Sequence, residues 1–69
     1  MLPAKKIIKK IEITDKSDAT IVERLYDLGL FDGLQIQILR HVSFGQITIL
    51  QFEQTILALN KSEMSCLKF

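Results

Sequence analysis

A mainly β fold is predicted for this chain: a small antiparallel barrel of about five short strands, with one short helix between the first strand and the second. Three observations carry that prediction. Residues 34–42, 47–52 and 55–59 are alternating or β-branched runs of strand length, separated by short polar or glycine-containing connections. Only residues 20–28 combine helical apolar spacing with a glycine placed to end the helix. The chain has 69 residues, 48% hydrophobic and 25% charged, which suffices for one core and not for two. Residues 1–69 are therefore read as a single domain.

The first element is ambiguous in pattern. Ile7, Ile8 and Ile11 share a helical face with lysines opposite, while Ile11-Glu12-Ile13-Thr14 alternates with period two. A helix here would have barely two turns and no cap, and so short a helix is unstable in water. A strand over residues 7–14 is the expectation, followed by a loop at Asp15-Lys16-Ser17-Asp18. The helix comes next. Thr20-Ile21-Val22-Glu23 has capping-box spacing, and Ile21, Leu25 and Leu28 form an apolar stripe with Val22 and Tyr26 beside it. Gly29 can take the left-handed conformation that ends the helix, with Leu30 folding back over the last turn. Asp32-Gly33 is a tight-turn signal.

Three strands follow, over residues 34–42, 47–52 and 55–59, joined by Ser43-Phe44-Gly45-Gln46 and by the pair Glu53-Gln54. Asn60-Lys61-Ser62-Glu63 offers an Asn cap and one helical turn, after which Cys66-Leu67-Lys68-Phe69 can return as a closing strand. Leu25, Leu28, Ile36, Ile38 and Ile49 are the expected core, and Phe52 joins them.

The chemistry that is missing narrows the function. There is one His, one Cys and no Trp, and no glycine-rich phosphate loop, paired-His motif or serine elbow occurs. Catalysis needs polar groups clustered in a pocket, whereas the acidic residues here are scattered singly, so a binding module is expected and not an enzyme. His41, Cys66, Met64 and Glu63 are the candidates for a metal. Cys66 reads better as a small packed hydrophobe and His41 as a surface residue, so no metal site and no cofactor are expected; a site shared between subunits stays open. A single cysteine and the absence of a signal-peptide pattern point to a reducing, cytoplasmic setting. No run approaches the roughly 20 apolar residues that span a bilayer, so no direct membrane insertion is expected.

Net charge is +1, unevenly placed: residues 1–16 hold five Lys against Glu12 and Asp15, and the remainder is net negative. A solvated edge strand kept soluble by lysine explains this without a ligand. Of the aromatics, Phe31 and Phe44 stand in loops beside glycine turns, where exposed rings mark contact sites.

In order, Arg24-Leu25-Tyr26-Asp27-Leu28-Gly29-Leu30, Gly33, Ile36-Gln37-Ile38-Leu39-Arg40, Phe44-Gly45 and Ile56-Leu57-Ala58-Leu59 resemble the ferrous iron transport protein A (FeoA) family. The family pattern is R-L-x-x-L-G-L, x-P-G, V-x-V-L-R and a strand ending I-x-L or I-A-L. The resemblance runs from about residue 11 to residue 67. Here Asp32 stands where the family usually has Pro, Val42-Ser43 replaces Ala-Pro, and Asn60 replaces a frequent Arg. The resemblance implies an SH3-like barrel serving bacterial ferrous iron uptake from the cytosol. Its implied partner is the cytosolic G-protein domain of the ferrous iron permease (FeoB-like). Leu30, Phe31 and Phe44, with Tyr26 in support, are the expected partner contacts. Two other readings are weighed. One is a nucleic-acid binder using Lys5, Lys6, Lys9 and Lys10, although no nucleic acid is expected. The other is a homo-oligomer paired through an uncovered barrel edge.

Overall fold

Residues 3–69 are described by a computed structural model. In chain order its elements are β1 (Ala4–Ile7), β2 (Lys10–Ile11), α1 (Ala19–Asp27), β3 (Gln35–Val42), β4 (Ile47–Phe52), β5 (Thr55–Asn60), α2 (Lys61–Ser65) and β6 (Leu67–Lys68). The strands form two antiparallel sheets, a four-stranded one in the order β1-β3-β4-β5 and a two-stranded one of β2 with β6. The mainly β antiparallel class is as expected. Among the described residues the hydrogen bonding does not close the strands into one barrel, and there are six strands and two helices instead of five and one.

The expected strand over residues 7–14 begins earlier and is broken in two. At the break the chain changes partner. The Ile8 N–H donates to the Leu34 carbonyl at 2.9 Å, on the β3 side, whereas the Lys9 N–H donates to the Lys68 carbonyl at 2.7 Å, on the β6 side. Opposite edges of one extended segment thus serve two sheets, with Ile8 fully buried between them. Residues 12–14 belong to no strand. There the Glu12 N–H reaches the Cys66 carbonyl, and the Thr14 hydroxyl meets those of Ser17 and Ser65.

The N-terminus of α1 lies two residues before the expected one. Asp18, in extended conformation, is the cap, and its Oδ1 accepts the Ile21 N–H at 3.1 Å. Thr20 is therefore inside the helix and Thr20/Glu23 do not form the capping box. Asp caps a helix as well as Thr does, and the competition was between two suitable residues. The reciprocal box occurs in α2 instead: the Glu63 N–H donates to Asn60 Oδ1 at 2.8 Å, and the Asn60 N–H to Glu63 Oε1 at 2.9 Å.

The other end of α1 is as expected. Gly29 (φ +102) follows the helix, its N–H donates to the Tyr26 carbonyl, and the Leu30 N–H donates to the Leu25 carbonyl. These two bonds make a Schellman motif, closed by the contact of Leu25 and Leu30 within the core. An added Cβ at Gly29 would stand 3.4 Å from the Phe52 ring, an ordinary contact, so it is the positive φ and not crowding that calls for glycine here.

Period-two alternation places Thr48, Leu50 and Phe52 of β4 inward. Ile49 consequently lies on the other face, half-buried, and is not a core residue as the sequence suggested. Leu28 is likewise only partly buried and packs against the core, while Leu25, Ile36, Ile38 and Phe52 are inside it. The one hydroxyl that β4 turns inward is satisfied: Thr48 Oγ1 lies 3.0 Å from His41 Nδ1 on the neighbouring strand. Leu39 forms a bulge, since Ile38 pairs with Leu50 and Arg40 with Ile49.

Candidate docking surface

The four residues expected to touch a partner separate into three positions. Leu30 is only 1% exposed. Its backbone closes the helix and its side chain fills the core, so it is corrected from contact residue to scaffold. The sequence placed it beside a turn, but a leucine that completes a Schellman motif is drawn against the helix. Tyr26 and Phe31 are 44% and 51% exposed. They flank the same loop residue, Asp32, since the Tyr26 hydroxyl donates to Asp32 Oδ1 at 3.2 Å.

Phe44 is 105% exposed, its ring standing wholly in solvent. It sits at the far end of β3 from Phe31. At about 3.3 Å per residue the eight-residue strand between the two turns is roughly 23 Å long. Ser43, Phe44 and Gly45 are consecutive left-handed residues, with φ of 56°, 57° and 83°. For the two non-glycine residues that conformation costs about 1–2 kcal/mol each. The turn thus holds an aromatic ring in water on a backbone that an aromatic residue disfavours.

Asp32, which stands where the resembling family has proline, has a structural use. Its Oδ1 accepts both the Tyr26 hydroxyl and the Ile11 N–H at 3.1 Å, tying α1, β2 and the turn together. The Tyr26 phenol is raised above the ordinary 10.0, first by partial burial, then by the Asp32 charge and the hydrogen bond to it. The neutral phenol is thereby favoured in the folded chain. Its contribution is full below the ordinary value and is lost as pH rises through the raised one. In an absorbance titration of tyrosinate, Tyr26 should ionise later than free tyrosine, and Asp32→Asn should bring it back towards 10.0. An unchanged curve in the variant would show that Asp32 does not act on Tyr26.

Two further pairings were not foreseen from the sequence, although Glu63 and the N-terminal lysines were themselves candidates. Arg24 Nη1 lies 2.9 Å from Oε2 of the buried Glu63, joining α1 to α2. The Arg of the R-L-x-x-L-G-L pattern therefore has a structural partner 39 positions away. Lys6 lies over the Phe69 ring, 5.8 Å from its centre, in an open cleft of about 440 Å³ lined also by Lys5, Ile7, Lys9 and Gln35. Aromatic and lysines are at opposite ends of the chain, which hid the juxtaposition.

Of the metal candidates, Cys66 is fully buried and His41 is exposed, and Glu63 is engaged with Arg24 and Asn60. Among the described residues no three His, Cys, Asp or Glu side chains are grouped to hold an ion. Among them also, no helix is long and apolar enough to cross a membrane.

Residues 4–68 match the FeoA domain model. The chain belongs to the FeoA family. No curated protein matches it. Among solved structures it is similar to an FeoA-like protein from Clostridium acetobutylicum, with a TM-score of 0.70 and 24% identity over 96% of this chain and 74% of that one. It is also similar to a protein from Pseudomonas aeruginosa, with a TM-score of 0.67 and 21% identity over 99% of this chain and 89% of that one. At such identities the likeness is one of fold. FeoA membership places the chain in ferrous iron transport systems, in a family of small accessory domains and not one of enzymes. The Gly29-Leu30 turn and the Arg24–Glu63 pair show that much of the family-like signature is scaffold.

Proposed function

We propose that this chain is a cytoplasmic accessory and regulatory protein of bacterial ferrous iron uptake that binds the cytosolic G-protein domain of the ferrous iron permease. Its two sheets serve as the walls of an SH3-like barrel, and the partner meets Phe31 and Phe44, with Tyr26 supporting Phe31 from α1. The observation that supports this reading best is Phe44, fully exposed on a turn of consecutive left-handed residues. An aromatic ring held wholly in solvent at a hairpin turn is free to be buried by a partner, and truncation of such anchors accounts for most of the energy lost at interfaces. The roughly 23 Å length of β3, which separates the Phe31 and Phe44 turns, suits one face of a standard interface, which buries about 800 Å² on each partner.

Calorimetric titration with the isolated cytosolic domain of the permease, loaded with GDP or with a GTP analogue, tests the proposal. Binding is expected in at least one nucleotide state. Phe44→Ser should weaken it tenfold or more, about 1.4 kcal/mol, without lowering the unfolding midpoint, because the ring has no packing to lose. Absence of binding in both states, or full binding by a Phe31→Ser, Phe44→Ser double variant, would overturn it.

A further inference from the structure

The lysine cleft beside β1 lies apart from the Phe44 turn and has its own logic. Because the Ile8 N–H points at β3, backbone alternation turns the peptide groups of Ile7 and Lys9 the opposite way. Lys9 is satisfied there by Lys68 of β6. Ile7 and Lys5 continue the same edge, and among the described residues no strand lies beside them, since β1 is an outer strand of its sheet. The cleft is lined by Lys5, Lys6, Ile7 and Lys9 of this segment, by Gln35 of β3 and by Phe69, the residue after β6.

Its charged side chains are all lysines. Lys5, Lys6 and Lys9 line it, and Lys10 and Lys68 stand opposite one another on the adjoining β2–β6 pair. The ion pairs among the described residues are Lys10–Glu12, at 3.8 Å, and Arg24–Glu63, so Lys5, Lys6 and Lys9 have no carboxylate partner there. Ile7, 56% exposed, contributes an apolar wall.

We infer that this cleft binds an acidic, extended peptide segment of a partner protein, which adds as a strand to the free edge of β1 in line with β6 and lays its carboxylates on Lys5 and Lys9, which strand alternation places on one face. Edge addition uses the unpaired backbone groups for affinity and the flanking side chains for selection. An extended backbone offers the N–H and C=O groups that the edge lacks; a phosphate chain offers acceptors only. Stacked bases would also need an aromatic face, and the Phe69 ring already carries the Lys6 ammonium.

The probe is a blocked eight-residue peptide alternating glutamate and valine, titrated into the isotopically labelled full chain at low salt. The amide protons of Lys5 and Ile7 should move downfield and gain protection from exchange. A peptide with lysine for glutamate, and one N-methylated on alternate residues, should bind at least tenfold more weakly. Lys5→Glu with Lys9→Glu should reduce binding to a similar extent while leaving the fold intact, because both side chains are exposed. Ile7→Pro, which removes one free edge donor, should do the same, as proline is tolerated on edge strands. Unshifted Lys5 and Ile7 amides, equal binding of the N-methylated peptide, or capture of these lysines by a short oligonucleotide but not by the peptide would each overturn the inference. The permease titration addresses a different surface, so either result stands without the other.

Discussion

Leu25→Ala should leave this protein at the edge of unfolding at physiological temperature. Leu25 is fully buried, carried on α1 into the cluster that holds Leu30, Leu50 and Phe52. Its truncation removes the transfer energy of the lost carbons and leaves a cavity, together about 2–5 kcal/mol. A domain of 69 residues has roughly 3–10 kcal/mol in total. The site also has little means of collapsing, because the carbonyl of Leu25 is held by Leu30 in the turn that ends α1. Urea unfolding followed by circular dichroism should show the midpoint falling by half or more, or no folded baseline at all. Phe44→Ser serves as the contrast, with a midpoint within experimental error of the parent. A loss below about 1 kcal/mol for Leu25→Ala would mean that α1 is not integral to the core.

The second large effect belongs to Arg24 and Glu63. The Glu63 side chain is 5% exposed and that of Arg24 is 64% exposed. One oxygen of the carboxylate receives the Asn60 N–H; the other has no aligned hydrogen-bond donor and relies on the guanidinium 2.9 Å away. Removing Arg24 would leave a buried carboxylate half-compensated, which costs about 1–3 kcal/mol. The lower half of that range applies, since a largely exposed guanidinium is screened by water. Glu63→Gln keeps an acceptor for the Asn60 N–H and removes the charge, and should cost less than about 1 kcal/mol. In that background Arg24→Ala should be nearly neutral. The coupling from the four unfolding midpoints is thus expected at about 1 kcal/mol. Equal costs of Arg24→Ala in both backgrounds would show that the arginine acts through packing of its stem and not through the ion pair.

The elements legible in the sequence were those encoded by neighbours. Residues 47–52 read as a strand because β-branched side chains recur at spacing two, and β4 spans the same residues. Gly29 read as a stop because the turn needs positive φ, and Asn60 as a cap because its side chain reaches a free N–H three residues on. Errors arose where two local solutions were close in energy or where distant partners decided. Asp18 displaced Thr20 as the cap of α1, and the strand over residues 7–14 broke where its partner changed from β3 to β6.

The candidate surfaces divide in the same way. Phe31 and Phe44 were legible as loop aromatics, and their exposure follows from having no neighbour to cover them. Leu30 differs from them because a turn position dictates where a backbone goes and leaves open whether the side chain is spent on the core. The ring of Phe69 under Lys6 could not be seen, because 63 positions separate them and nothing in either segment marks the other.

Local spacing by itself therefore determined that this chain is a mainly β domain with its helix stop at Leu28-Gly29-Leu30 and no recognisable catalytic motif, while its kinship came from resemblance to the FeoA family's motifs. Only the tertiary structure decided which face of β4 lies inside, what Arg24 and Asp32 are for, and where an uncovered strand edge meets unpaired lysines. The division is physical. Propensity, capping and turn chemistry act between residues a few positions apart, whereas burial, ion pairing and edge exposure depend on which segments the fold brings together.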